Sequence, residues 1–543
     1  MSVHLPLPKA KLSSIRSHHW ARTLKRAISA STMIVSLAAA AEAPYVRAAK
    51  PIKDDQGRVQ VIIDFTDDAL NRYTEPPVTA PVDPRIEQKF FHLPKALLLV
   101  EDFEKRFGFT RTGMTSWVGN SVTAFLVPDQ IARLRVEGIV KLISDNAVSS
   151  FNVSPPWGNS GTGAETISYG RNAVNGKVWT GATNRKIYVI DSGVAVHRDF
   201  LDSNGLNDTV TRTNVACGTV GGQCEVNNPN AYPVVGCYAH ATHVAGIIGA
   251  RAGNSITTAG VYAGAKLVSI SVLTTISPYS LPPNPCASIS VPNSAGIGYA
   301  LDYVYWDSTF NNSAGLVNIA NISINPGSMG YNSSGIPETN WGKVRTLASP
   351  AYRHDVQRAY PGVFVAQSAG NKTANACGTD PNNGGSSYAY RPYGYAPYAV
   401  DDDGIMVVGA THHTGQAVSD ALPFSPSYPT GLANTDLPSN YGSCVDVLAP
   451  GNAIVSTWGN HAYPNSRVGI TYAGDPVGGN QGWAFLSGTS MAAPHVAGAA
   501  AYLADIFALT TPAAIEQKIR FLSVQFNGYV DPSGNPVKIP QLP

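Results

Sequence analysis

An α/β fold with a mostly parallel sheet flanked by helices, preceded by a small α+β domain, is what this chain of 543 residues predicts, and three observations predict it. From Lys186 onward, short apolar runs alternate with helical patterns, as buried parallel strands joined by crossover helices require. A separate set of strand and helix patterns lies between Arg58 and Val148. Between the two sets, residues 149–163 turn to Ser, Asn, Gly and Pro, the composition of an exposed boundary.

Composition agrees with a large folded protein. Hydrophobic residues make up 44% and charged residues 14%, with 51 Gly and 39 Pro, which describes a loop-rich globular chain and excludes a disordered or fibrous one. The formal net charge is +2, and the first fifty residues hold eight Lys or Arg against one acid, which leaves −5 on residues 51–543. A nucleic-acid partner is therefore not expected. Residues 1–43 read as an export signal: a basic stretch through Lys25 and Arg26, an uncharged run Ala27–Ala41, and small residues around Ala39–Ala43. The run is shorter than the roughly 20 apolar residues of a membrane span and is diluted by Ser and Thr, and no later segment is long and apolar enough to span. The six cysteines, an even number with no C-x-x-C pair, favour disulfides in an exported chain over zinc. Pairing is left open apart from one expected link across the short Cys217 to Cys224 loop.

The first set of patterns, within residues 50–150, starts with a strand at Val59–Phe65 and a helix at Ala96–Gly108. A strand near Thr112–Trp117 and another at Ser121–Val127 follow, then a helix at Asp129–Gly138 and a strand at Val140–Ser144. Residues 76–84 read as a Pro-rich loop. In the second set, residues 155–543, strands are expected at Ile187–Ile190, Leu267–Val272, Leu316–Ile324, Val363–Ala366, Ile405–Val408 and Val445–Leu448. Helices are expected at Ala241–Ala250, Ser294–Tyr305 and Ser490–Phe507. Polar connections at 274–293, 373–400, 411–440 and 458–482 exceed ordinary loop lengths. Ligands of such a sheet bind at the carboxyl ends of its strands.

Three segments carry chemistry. Ser490 lies in Ser487-Gly488-Thr489-Ser490-Met491-Ala492-Ala493-Pro494-His495 at the start of a helix, where free N–H groups and the positive end of the macrodipole stabilise a developing negative charge. Alone, such a Ser is an ordinary N-cap. Ile187-Tyr188-Val189-Ile190 ends in Asp191-Ser192-Gly193-Val194, placing a carboxylate at the end of a buried strand, where it needs a partner. His240-Ala241-Thr242-His243-Val244-Ala245-Gly246 opens a helix with an imidazole that an aspartate can orient and a serine can use as base.

These segments resemble the active-site motifs of the subtilisin-like serine peptidases, in that family's chain order of Asp, His, Ser, with weaker similarity from about Trp157 to Leu522. The resemblance implies that Ser490 is the nucleophile, His240 the general base and then acid, and Asp191 the group that orients the imidazole. It leaves His197, His243 and His495 structural. Ala369-Gly370-Asn371 resembles the segment that supplies the oxyanion side chain, so Asn371 is the expected donor beside the Ser490 N–H. The alternatives are a turn Asn or a glycosylation acceptor in Asn371-Lys372-Thr373. Ser323, Ile324 and Asn325, with Ala369 and Gly370, match the walls that bind substrate. Two departures stand out: Asn325-Pro326 where the family has Gly-Gly, which puts the usual preference for large apolar side chains in doubt, and Ala241 where it has Gly. Asp199 matches a carboxylate that ligates calcium in some members, with a solvated turn Asp as the equal alternative; the chemistry itself requires no cofactor.

By position and element order, residues 50–150 resemble the family's ferredoxin-like propeptide, which assists folding, blocks the cleft and is cut away, here near residues 149–156. The expectation is a secreted, extracellular or periplasmic endopeptidase acting on proteins or peptides, held by its own propeptide as intramolecular inhibitor, with no nucleic-acid partner and no stable membrane span. The alternatives are a catalytically silent binding protein on the same fold and an esterase-type hydrolase. The esterase would be expected to carry Gly-x-Ser-x-Gly and the order Ser, Asp, His.

Overall fold

A computed structural model describes residues 42–47, 51–74, 92–146, 168–181, 183–202, 207–217, 224–226, 240–255, 258–275, 290–312, 314–325, 339–354, 357–372, 374–376, 402–412, 439–459, 481–531 and 534–543. The expected export signal up to residue 41, the expected Pro-rich loop at 76–84 and the expected cleavage region at 149–156 lie outside the described residues.

The N-terminal part is a five-stranded sheet with two helices. Its elements are β1 (Tyr45–Val46), β2 (Val59–Phe65), α1 (Pro94–Phe107), β3 (Arg111–Thr115), β4 (Ser121–Leu126), α2 (Pro128–Arg135) and β5 (Val140–Asp145), with strand order β1-β5-β2-β4-β3. Helix α1 starts with Pro94, whose missing N–H costs nothing in the first turn, and stops at Gly108, which takes a left-handed φ of +67°. It buries Ala96, Leu99, Val100, Phe103 and Phe107, spaced at helical intervals, against Val61, Ile63 and Val122 of the sheet. This domain begins earlier than residue 50. The Ala43 N–H donates to the Arg135 carbonyl, Ala43 is buried, and β1 pairs in parallel with β5. A two-residue strand carries no periodicity, so sequence patterning does not reveal it.

The larger part is built on an eight-stranded sheet. Its elements are β6 (Ile187–Asp191), β7 (Val210–Cys217), β8 (Cys224–Val226), α3 (His240–Gly249), β9 (Leu267–Ser271), α4 (Ser294–Phe310), β10 (Asn318–Ile322), α5 (Thr339–Ala348), β11 (Val363–Ser368), β12 (Ile405–Thr411), β13 (Val447–Pro450), β14 (Ile454–Gly459), β15 (Gln481–Leu486), α6 (Thr489–Ile506) and α7 (Pro512–Leu522). The sheet order is β13-β12-β11-β10-β6-β9-β7-β8. Every pair is parallel except β7 with β8. Side chains alternate between two buried faces, as in a parallel sheet covered on both sides. Ile187, Val189, Phe364 and Ala366 pack with α3, α6 and α7, whereas Tyr188, Ile190, Val363 and Val365 pack with α4 and α5. Ile62, Trp117 and Val118 of the N-terminal domain join this second core, and residues 42–543 form one compact unit.

The expected strands and helices of both parts are present, with ends shifted by a few residues. Some of the polar connections carry structure at their ends: β14 and β15 pair as an antiparallel hairpin around residues 460–480, and Leu273–Thr275 pairs with Ser290–Pro292. Helices α5 and α7 and strand β7 were not among the expected elements, although α7 carries a start signal in Thr511-Pro512 and buries Ile515 and Ile519 one turn apart. Cys217 and Cys224 stand opposite each other in the β7–β8 register, and Cys444 is disulfide-bonded. Among the described residues no helix is long and apolar enough to cross a membrane.

Candidate active site

Parallel strands β6, β10 and β11 deliver Asp191, Ser323 and the Ala369–Asn371 turn to the same edge of the sheet, where α3 and α6 begin. Asp191 is the last residue of β6 and is fully buried. Its carboxylate accepts the Ser192 N–H at 2.6 Å and faces His240 Nδ1 at 2.8 Å and 3.0 Å. A carboxylate only accepts, so the imidazole proton on this side sits on Nδ1 and the basic lone pair is on Nε2. Ser192 adds to the alignment, because its Oγ accepts the Ala241 N–H at 3.1 Å and so caps the helix that starts at His240.

Ser490 occupies the first turn of α6. Its N-cap, Gly488, has φ +142° and ψ 168°, a conformation that L side chains rarely adopt. The Ser490 N–H has no acceptor among the described residues, as first-turn amides commonly do not. The Ser490 hydroxyl donates to the Ser323 carbonyl at 3.0 Å, and the Ser323 hydroxyl donates back to the Ser490 carbonyl at 2.9 Å. This pair of bonds fixes β10 against the start of α6. It also engages the Ser490 hydroxyl with a main-chain carbonyl.

Asn371 is oriented by Thr489, the residue before Ser490. Its Oδ1 accepts both the Thr489 N–H and the Thr489 hydroxyl at 2.8 Å. A backbone N–H can only donate, so the oxygen end of the amide is fixed there and the other end is the NH2, a donor. Thr489 Oγ1 also accepts the Gly370 N–H at 3.0 Å, and Asn440 braces the turn by donating to the Ala369 carbonyl and accepting from Lys372 and Ala374. The positioning roles of Thr489, Ser192 and Asn440 were not legible in the sequence, since hydroxyl and amide side chains beside turns are common and their partners are remote.

His197, His243 and His495 are occupied elsewhere. His243 Nε2 faces the Ile454 carbonyl, His495 Nδ1 faces the Met491 carbonyl, and His197 Nδ1 accepts the Asp199 N–H. Burial pushes the His495 imidazole down to about 4. The Asp199 carboxylate accepts from Asn254 Nδ2 at 3.0 Å and from the Thr258 N–H at 3.2 Å. Calcium takes about six to eight oxygen ligands, and no group of three His, Cys, Asp or Glu able to hold a metal occurs among the described residues.

A family profile described as the subtilase family matches residues 182–521. The chain is 27% identical to a cuticle-degrading protease of Metarhizium anisopliae over 73% of each chain. It is 28% identical to an extracellular serine proteinase of a Thermus species, over 73% of this chain and 69% of that one. Among solved structures it resembles fervidolysin from Fervidobacterium pennivorans, a keratinolytic enzyme related to subtilisin, with a TM-score of 0.51, 17% identity, and coverage of 92% of this chain and 62% of that one. That likeness supports the α/β fold alone, while the profile spans more than half of the chain. The chain belongs to the subtilase family and is a subtilisin-like serine endopeptidase.

Proposed function

We propose that Asp191, His240 and Ser490 form the catalytic triad and that Asn371 completes the oxyanion hole. The observation that carries this reading is the buried Asp191 to His240 Nδ1 pair, set at the sheet edge where Ser490 begins α6. In the reaction His240 Nε2 takes the Ser490 proton as Oγ bonds to the substrate carbonyl carbon. The Ser490 N–H and Asn371 Nδ2 stabilise the oxyanion, and the proton passes to the leaving amine as the peptide bond breaks. Water then repeats the sequence to release the acyl group. Asp191 stabilises the imidazolium formed in each step. Walls at Ser323–Asn325 and Ala369–Gly370 bind the substrate backbone, and the natural substrates are proteins.

We further infer that the chain is exported and made as a self-processing precursor, with residues 42–146 belonging to an inhibitory propeptide. The leader composition and the extracellular relatives support export. Support for the propeptide comes from its separate sheet and core, and from its docking on α4. There Asn146 Oδ1 accepts the Ala295 N–H at 3.1 Å, and Asp302 accepts three amides of the β3–β4 turn. Expression of the precursor with native Ser490 and with Ser490→Ala, followed by intact mass and N-terminal analysis, tests this. Native protein should lose roughly 150 residues and digest denatured casein while the mutant does neither. Identical processing of both would assign maturation to another protease.

A further inference from the structure

Strands β10 and β11 end side by side, with Ile322 opposite Gln367 in the register. The segments that follow them, Ser323–Asn325 and Ala369–Asn371, flank the start of α6. Between these two segments lies the Asn325 side chain. Its Nδ2 donates to Ser368 Oγ at 3.2 Å, and its Oδ1 accepts from Gln367 Nε2 at 3.3 Å. Gln367 Nε2 also reaches the Ile324 carbonyl at 2.9 Å and the Ser368 carbonyl at 3.2 Å, locking both strand ends to the same carboxamide. On the far side, Asn325 Nδ2 lies 3.6 Å from the place a Cβ on Gly370 would take, and Gly370 adjoins Asn371. Asn325 therefore spans from one wall to the other, and it is 8% exposed.

This cluster is not a packing optimum. Gln367 Oε1 is buried with no hydrogen-bond partner, an unfavourable arrangement for stability of the kind that functional sites tolerate. Each polar end of the Asn325 amide already holds one partner within the wall, so what the residue chiefly presents to an incoming side chain is its volume.

We propose that Asn325 determines specificity by closing the slot between the ends of β10 and β11, so that substrates with Gly, Ala or Ser at the residue whose carbonyl is attacked are cut in preference to those with Phe or Leu. This rests on the peptidase reading above and deepens it. A side chain extending past Cβ meets the carboxamide, and displacing that group breaks its bonds to Ser368 and Gln367 inside a buried site.

Two peptides differing only in Ala or Phe at that residue, assayed with native enzyme, Asn325→Gly and a Ser490→Ala blank, test the proposal. Native enzyme should show kcat/KM at least about 10-fold higher for Ala. Opening the slot should shift the ratio toward Phe by about 10- to 100-fold, the range that a few heavy atoms of pocket volume command. Asn325→Gln, which adds a methylene and keeps the slot filled, should keep the Ala preference, and Asn325→Ala serves if the glycine variant does not fold. Equal or better cleavage after Phe by native enzyme overturns the proposal, as does an unmoved ratio in a glycine variant that still cuts the Ala peptide. Those results leave the peptidase reading standing. Absence of any Ser490-dependent cleavage of peptides or denatured protein by native enzyme overturns that reading and the proposal together.

Discussion

Replacing Asp302 with Ala should release the N-terminal domain from the α4 face, and the structure sets the size of the effect. Asp302 is fully buried in α4 and accepts the Ser116 N–H at 3.1 Å, the Trp117 N–H at 2.5 Å and the Val118 N–H at 2.9 Å. Removing the carboxylate leaves three buried donors without an acceptor, each costing about 1–3 kcal/mol. Because relaxation and water entry make such losses non-additive, about 3–5 kcal/mol is expected in total, a factor of about 150 to 5000. Aromatic contacts of Trp117 with Tyr305 and Phe310, and Arg353 lying 4.9 Å over the Trp117 ring, remain in the variant. Amide hydrogen exchange in a Ser490→Ala background measures the result directly. Protection at residues 116–118 should fall at least about 100-fold while the β6 and β10 amides keep theirs. Unchanged protection at 116–118 would refute the assignment of these bonds as the main hold on the domain.

Asp302 also gives this docking a pH dependence. Burial raises its carboxyl to about 7, against the opposing pull of the Val118, Ser116 and Trp117 amides and of Lys343. The nearby His92 ring, 3.9 Å away, is pushed down to about 4 by burial and then by Arg111, and stays neutral near pH 7. A carboxyl higher in the docked state than when exposed contributes stability that is full below its ordinary value near 3.9 and is lost as pH rises through about 7. Docking should therefore weaken progressively from about pH 4 to pH 7 and level off above it, after correction for intrinsic exchange, and Asp302→Asn should abolish that dependence.

Four further outcomes are expected. Asn371→Ala should lower kcat roughly 100- to 1000-fold with little change in KM, a magnitude established on subtilisin itself, as steady-state kinetics would show. Thr489→Val should lower kcat about 10-fold by freeing one anchor of Asn371 and stranding the buried Gly370 N–H, with Thr489→Ser restoring most of it; equal kcat for Val and Ser variants would exclude the positioning role. Asp505→Ala should cost about 3–5 kcal/mol in urea unfolding, because Arg185 is left charged and buried after losing its 2.7 Å partner. Burial holds His495 at about 4, so stability it contributes above pH 6.5 should be lost as pH falls through 6.5 toward 4. The native protein should lose about 3 kcal/mol over that window relative to His495→Gln in acid unfolding.

The parts of this molecule that were legible in the sequence are those where local pattern and chemistry coincide. Asp191 stands where an apolar strand stops, His240 and Ser490 stand where helices start, and the Gly before Thr489 marks the turn. What escaped the sequence depends on partners far along the chain. Asp302 is one of two acids on a mostly apolar helix, and only the fold brings it to amides some 185 residues away. The Asn325 departure from Gly was visible, but its bridge to Ser368 and Gln367 was not, because polar residues near a strand end give no hint of mutual contact. Strand β1 was missed because a two-residue strand gains its stability from β5 and not from its own pattern. The β14–β15 hairpin was missed because its arms flank a long polar connection.

The most direct test of the account is covalent labelling of the nucleophile. A fluorophosphonate, which phosphonylates a serine only when a neighbouring base removes its proton, should modify native enzyme at Ser490 alone, as read by peptide mapping, and block hydrolysis of casein in step with labelling. His240→Ala should slow the labelling by several orders of magnitude. Stoichiometric modification at another residue, or casein hydrolysis that persists once Ser490 is fully labelled, would contradict the assignment of Ser490, His240 and Asp191 as the catalytic machinery.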